Sequence, residues 1–300
     1  MSRADVSRAE VSRAAAPPVP AGRGRGTASG YLALFRNELR LVFRRLRTRV
    51  LLGILALLPV LIGVVVKLNT DSPHDGRGPS FIAQTTQNGV FLIFTALAVA
   101  LPVFLPMTVG VVAGDAVAGE SAAGTLRYLL VAPAGRTRLL AAKFTAGLVF
   151  CLAGTVVVTL SALAAGAVLF PLGDVTLISG DTIGLVDALP RAALVAAVVA
   201  LSLSGLVAIG LFVSTLTGSG IAAMAATVGL VITVQILDGF PQLDAIRPFL
   251  FPHYWMSFGD LLRAPMYWDN ILKDLGLQAA YVAVFGSAAW ARFTSRDISA

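Results

Sequence analysis

AALVAAVVALSLSGLVAIGLFVSTLTGSGIAAMAATVGLVITVQIL, residues 192–237, runs for 46 residues without a charged side chain. An ordinary soluble domain is about 25% charged, so a water-exposed stretch of this length would carry several charges. A helix of about 20 apolar residues covers the hydrocarbon core of a bilayer. The stretch therefore reads as two membrane-spanning helices, with the polar, glycine-rich TLTGSG at 215–220 as the break between them.

The same signal recurs outward from this segment. Residues 144–170 form an uncharged run upstream, and 275–291 form one downstream, ending at Arg292. Nearer the N-terminus lie 50–66, which contains Pro59, and 90–113, where Pro102 and Pro106 predict a kink. Six spans result: 50–66, 90–113, 144–170, 192–214, 221–237 and 275–291. Composition agrees, with 57% hydrophobic and 13% charged residues and a mean hydropathy of +0.83. A soluble fold of 300 residues cannot hide that much apolar surface, so the fold class is an all-α integral membrane protein.

The charges orient it. Six spans place both termini on one side. The N-terminal arm, the 114–143 loop and the C-terminal tail hold 17 basic and 6 acidic residues; the opposite loops hold 6 basic and 10 acidic. The positive-inside rule makes the basic side cytoplasmic, and the chain is expected in the plasma (inner) membrane of a bacterium. Eleven of the 23 basic residues precede residue 50. Beside an apolar run such a flank is a topology signal, so no nucleic acid is expected as a partner, despite GRGRG at 22–26. The first apolar run begins only at Val50 and no small-residue cleavage site follows, so it is expected to remain as a helix.

Residues 1–29 repeat SRADV, SRAEV and SRAAA and then turn Pro- and Gly-Arg-rich, which predicts a disordered tail. The membrane domain occupies 30–300. Within it Tyr31, Phe35, Leu39, Val42 and Leu46 step by three or four residues and form one apolar stripe. Arg36, Arg40, Arg44 and Arg47 form another face. The pattern predicts an amphipathic helix in the headgroup layer, meeting anionic lipid or a partner protein; the competing reading is a plain basic flank for the first span.

Enzyme motifs are missing. The chain has no GxxxxGK[ST] phosphate loop, HExxH or GxSxG. Its two histidines, His74 and His253, lie far apart, and the single cysteine, Cys151, sits in an apolar run with no ligand spacing around it. No catalytic residue, metal or cofactor is expected on this chain. The predicted spans contain no Asp, Glu, Lys, Arg or His, which argues against proton-driven transport. The energy for any transport would come from another subunit.

The long loop reads GDAVAGESAAGTLRYLLVAPAGRTRLLAAKF, residues 114–144. Thr125 can cap a short helix whose Leu126, Leu129 and Leu130 make an apolar face. Pro133 and Gly135 stop it, and Arg136, Arg138 and Lys143 mark the membrane boundary. A leucine face in the cytosol needs lipid or protein to bury it. Glu120, Gly124-Thr125-Leu126, Leu129-Leu130, Pro133, Arg136 and Lys143 resemble the E…GTL..LL..P..R……K signature of the ABC (ATP-binding-cassette) type-2 permeases. Phe293 and Asp297-Ile298 resemble the ending common among them.

The resemblance implies a cytoplasmic coupling helix in this loop that docks on a separate ATPase subunit. Leu126, Tyr128, Leu129 and Leu130 would supply contact surface, while Glu120 and Arg136 fix the loop against the amphipathic helix or the ATPase. It also implies two ATPase copies carrying ATP and Mg, and a second permease, either a copy of this chain or a paralogue. The segment 239–273 is broken by Pro241, Pro248, Pro252 and Pro265 and is rich in rings, among them Tyr254, Trp255, Phe258, Tyr267 and Trp268. Such rings favour the membrane interface, and the resemblance suggests short helices that frame an exit. The function expected is an exporter permease for an amphipathic or apolar cargo. The rival is a membrane scaffold or sensor that recruits a cytoplasmic partner.

Overall fold

A computed structural model of the chain describes residues 27–70, 88–124 and 135–295. The N-terminal tail, 71–87, 125–134 and 296–300 lie outside the described residues. The order is α1 (Thr27–Arg44), α2 (Leu46–Thr70), α3 (Phe91–Ala100), α4 (Phe104–Ala122) and α5 (Arg136–Leu169), then a two-residue hairpin, β1 (Val175–Thr176) with β2 (Thr182–Ile183). α6 (Leu185–Ser202), α7 (Ser204–Leu216) and α8 (Gly220–Asp238) follow. Three 3-10 turns, Pro241–Leu243, Arg247–Phe249 and Trp255–Leu262, lead to α9 (Asp269–Ser295). The fold is all-α apart from that hairpin, which pairs Val175 with Ile183.

Among the described residues four units are long and apolar enough to cross a membrane: Leu46–Leu68, Arg136–Leu169, Leu185–Leu216 and Gly220–Asp238. α3 and α4 make a fifth if taken as one span bent by 53°. Pro102 falls in that bend, where its missing N–H interrupts the helical ladder. The sixth predicted stretch lies inside α9, which has the length but not the apolarity of the others. Within Leu185–Leu216, 72% of the most apolar window is buried, against 22% for α2 and for α8. The α6–α7 pair is therefore the centre of the bundle, and α2 and α8 are its flanks.

Two sequence expectations change here. The predicted 114–143 loop is mostly helix: α4 continues to Ala122 and α5 begins at Arg136. The apolar stripe of α1 does not reach Leu46, which is 70% exposed and lies beyond the break in the helix at Arg45. The face that packs inward runs through Tyr31, Phe35, Glu38 and Val42. Tyr31 Oη lies 3.0 Å from Thr145 Oγ1 on α5, and the Phe43 ring meets Phe150 at 6.3 Å.

At one end of the bundle Val117, Leu139, Leu140, Leu211, Ala289 and Phe293 close a small core between α4, α5, α7 and α9. At the other, the start of α3 is stapled to the end of α5. Asn88 Nδ2 donates to the Gly173 and Asp174 carbonyls (2.7 and 2.8 Å), its Oδ1 accepts from Val90 N (2.8 Å), and Gly89 N donates to Pro171 O (3.0 Å). The crossing uses two glycines, since a Cβ on Gly89 would lie 2.3 Å from Gly166 O and one on Gly166 would lie 2.1 Å from Gly89 O. Both obstacles are backbone, so neither can yield cheaply. Gly166→Ala is expected to destabilise by about 1–3 kcal/mol, the range for overpacking a core. Thermal unfolding in detergent should show a clear drop for it and none for Gly229→Ala, whose Cβ meets open space.

Candidate functional site

Among the described residues, the end of the bundle where α4 stops and α5 begins carries a dense group of charges. α1 brings Glu38, the α1–α2 break brings Arg45, the first turn of α2 brings Arg47, α4 brings Asp115 and Glu120, and α5 brings Lys143. Lys143 Nζ donates to Glu38 Oε2 at 3.0 Å and to Glu120 Oε1 at 2.6 Å. The lysine side chain is 1% exposed and each glutamate 5%. Asp115 Oδ2 accepts from Arg47 Nη2 at 2.5 Å and from Arg45 Nη1, and Arg47 Nη1 also reaches Met224 Sδ on α8. Three cations face three carboxylates.

Burial raises the Glu38 carboxyl above its ordinary range; Lys143 pulls it down, and Glu120 pushes it up. A buried ion pair adds little net stability, yet removing one partner leaves an uncompensated charge and is strongly destabilising. The network therefore fixes geometry: α1 cannot shift against the α4 and α5 ends without exposing or separating charges. A cavity of about 30 Å³ lies among Glu38, Arg45, Arg47, Glu120 and Lys143. It has room for about one water, far too little for a transported molecule.

α4 and α5 lead from this network into the loop. Val117 N and Ala118 N both donate to Ser214 Oγ (2.9 Å each), which pins the end of α4 to α7. Gly124 (φ +68°) and Gly135 (φ +73°) stand at the two edges of the loop. A left-handed glycine just past a helix end is the usual stop, and Gly124 does this for α4. Arg136 Nη1 donates to Thr294 O on α9 at 2.7 Å. Glu120 and Arg136 thus sit at the two ends of the loop and bind different helices. Thr125, Leu126, Tyr128, Leu129, Leu130 and Pro133 lie outside the described residues.

On α1, Arg36, Arg40 and Arg44 are exposed while Phe35 and Leu39 are half-buried. Arg47 belongs to α2 and is drawn inward by Asp115. The predicted aromatic segment divides in the same way. Trp255 and Phe258 are core residues, Tyr254 is half-buried, and Tyr267 and Trp268 are exposed. Sequence reading passed over Glu38, Asp115 and Lys143 as network members. Its signal for Glu38 was an acid in the phase of the Tyr31–Phe35–Val42 stripe. Among the described residues no group of three His, Cys, Asp or Glu side chains could hold a metal.

Residues 32–241 match the family model described as ABC-2 family transporter protein. No curated protein matches the chain.

Lys143→Met would leave two buried carboxylates without their cation, a loss of about 3–5 kcal/mol. Thermal unfolding should show the drop, and Glu38→Gln added to it should restore part. The wild type carries a pH signature of the same origin. Because the folded Glu38 carboxyl keeps its proton above the ordinary value of 4.5, the unfolded chain releases that proton first. Stability should fall as pH rises from about 4.5 towards the folded value, and Glu38→Gln should flatten that slope.

Proposed function

The chain belongs to the ABC-2 transporter family, and we propose that it is the permease subunit of an exporter driven by ATP hydrolysed on two separate ABC ATPase subunits. Its 32–241 match covers the amphipathic helix, the loop and the central helices, and proteins of this family generally work with an ABC ATPase. The observation that carries the finer reading is Lys143, which ties the helix before the loop to α1 through Glu120 and Glu38.

In this reading α9 is the sixth span, both termini are cytoplasmic, and residues 125–134 form the coupling helix. The leucine face at 126, 129 and 130 docks on the ATPase. Movement of the docked loop enters the bundle at its two anchored ends, Glu120 on α4 and Arg136 on α5. Since Lys143 also holds Glu38, α1 moves with them, and its exposed Arg36, Arg40 and Arg44 slide along an anionic lipid surface. A second permease, a copy or a paralogue, forms the other wall of the path. The uncharged apolar spans favour an amphipathic or apolar cargo.

Co-expression with the ABC ATPase encoded beside the chain, followed by affinity purification and an ATPase assay, tests this. Wild type should retain the ATPase. Leu126→Asp with Leu129→Asp should lose it by roughly tenfold or more, since a buried anchor is worth about 2 kcal/mol or more. If no ATPase is retained, or the double variant retains it equally, the loop is not the docking site and a scaffold that recruits another partner becomes the better reading.

A further inference from the structure

Where α9 meets the break between α6 and α7, a second buried polar cluster carries a charge that is not balanced. Asp274, in the second turn of α9, is 0% exposed. Its Oδ2 contacts Ser202 Oγ, and its Oδ1 accepts from Gln278 Nε2 at 3.0 Å. The same Nε2 donates to Phe251 O at 2.8 Å, while Trp255 Nε1 donates to Ser202 O at 2.9 Å. Phe251 and Trp255 are buried and wall the cluster with their rings 5.5 Å apart. Gln278 Oε1 is buried with no hydrogen-bond partner, in space that Gly205 leaves open: a Cβ there would stand 2.4 Å from it.

Among the described residues no cation reaches Asp274. α6 and α7 carry no ionisable side chain from 192 to 216. Arg191 is half-buried and donates to Arg263 O. In the segment before α9, Asp238 is taken by His253 and Arg247, and Asp260 by Arg263 and Asn270. On α9, Asp269 and Lys273 are exposed. In the hairpin, Asp174 and Asp181 are exposed.

Hydrogen counting points the same way. Ser202 Oγ is 2.9 Å from Val198 O, to which it donates. A hydroxyl has one hydrogen, so it cannot serve the carbonyl and an ionised Asp274 together. If Asp274 is the acid, every hydrogen has a place. An isolated ionised carboxylate in such a site is costly and takes up a proton instead.

We propose that Asp274 is a proton-binding site: as the un-ionised acid it donates its hydrogen to Ser202 Oγ and clamps α9 to the break between α6 and α7. When the proton leaves to solvent, the Ser202 hydrogen turns to the carboxylate, and Val198 O loses that bond. The clamp then holds a bare charge against two neutral donors. This site is independent of the ATPase-docking reading, and its test needs no ATPase.

The test is infrared spectroscopy and thermal unfolding of the full chain purified in detergent. At neutral pH the wild type should show a protonated-carboxyl C=O band that shifts in deuterated water and is lost in Asp274→Asn. Ser202→Ala removes the acceptor and should move the band to higher wavenumber, which decides the assignment even if Asp274→Asn fails to fold. The folded acid holds its proton where the unfolded chain has released it. The wild-type melting temperature should therefore fall with rising pH more steeply than that of Asp274→Asn. Two results overturn the proposal. One is a band unchanged by both substitutions. The other is a wild type stabilised by sodium or potassium at fixed pH where Asp274→Asn is not, the mark of an ionised carboxylate binding a metal cation.

Discussion

Lys143 has one ammonium to share between Glu38 and Glu120, and the arrangement of three helices follows from that. A desolvated lysine is tolerated only when paired, so α1, α4 and α5 must meet at its Nζ. This explains why α5 is 34 residues long. At 1.5 Å per residue it extends about 50 Å, well past the roughly 30 Å of hydrocarbon in a bilayer. The stretch from Lys143 to Phe150 forms a post against which α1 leans, and Lys143 holds the end of α4 to it. Asp115, held by Arg45 and Arg47, repeats the device five residues earlier on α4.

The interruptions of the bundle obey a different constraint. Inside a membrane, irregular backbone survives only where protein covers it. The bend between α3 and α4 and the break between α6 and α7 centre on Leu101 and Leu203, both wholly buried. Each break keeps its polar groups occupied: Leu101 N donates to Leu97 O, Val207 N to Leu203 O, and Trp255 supplies a donor to Ser202 O. Near Pro59 in α2, Ser161 Oγ donates to Ala56 O at 2.8 Å, where the ring loosens the ladder.

The helices were legible in the sequence because hydropathy is summed over many residues and survives local detail. The run at 192–237 and the proline bend near 102 read directly. What escaped were single residues whose meaning depends on a neighbour far along the chain. Lys143 looked like a boundary charge because nothing at 143 reveals Glu38, 105 residues earlier. Asp274 drew no reading at all, since its burial is made by Ser202, Phe251 and Trp255. The same limit hid the burial of two of the aromatic residues, for Trp255 and Phe258 have the composition of interface anchors and the position of core. The helical extensions of α4 and α5 escaped for another reason. Charge marks where lipid ends, not where a helix ends.

The two polar clusters differ in a way that bears on what each can do. At the loop end, three carboxylates meet three cations, and any rearrangement must keep opposite charges in contact. Motion there is restricted to paths in which α1, α4 and α5 travel together, which suits a joint that transmits a push. At the α6–α7 break, one acid meets only neutral partners, and its state can change by moving a hydrogen without moving a helix. The first cluster resists a change of geometry; the second responds to a change of proton occupancy. Among the described residues, the ion pairs of α1, α2, α4 and α5 gather at the loop end, whereas Asp274 stands without a cation where α9 meets the α6–α7 break.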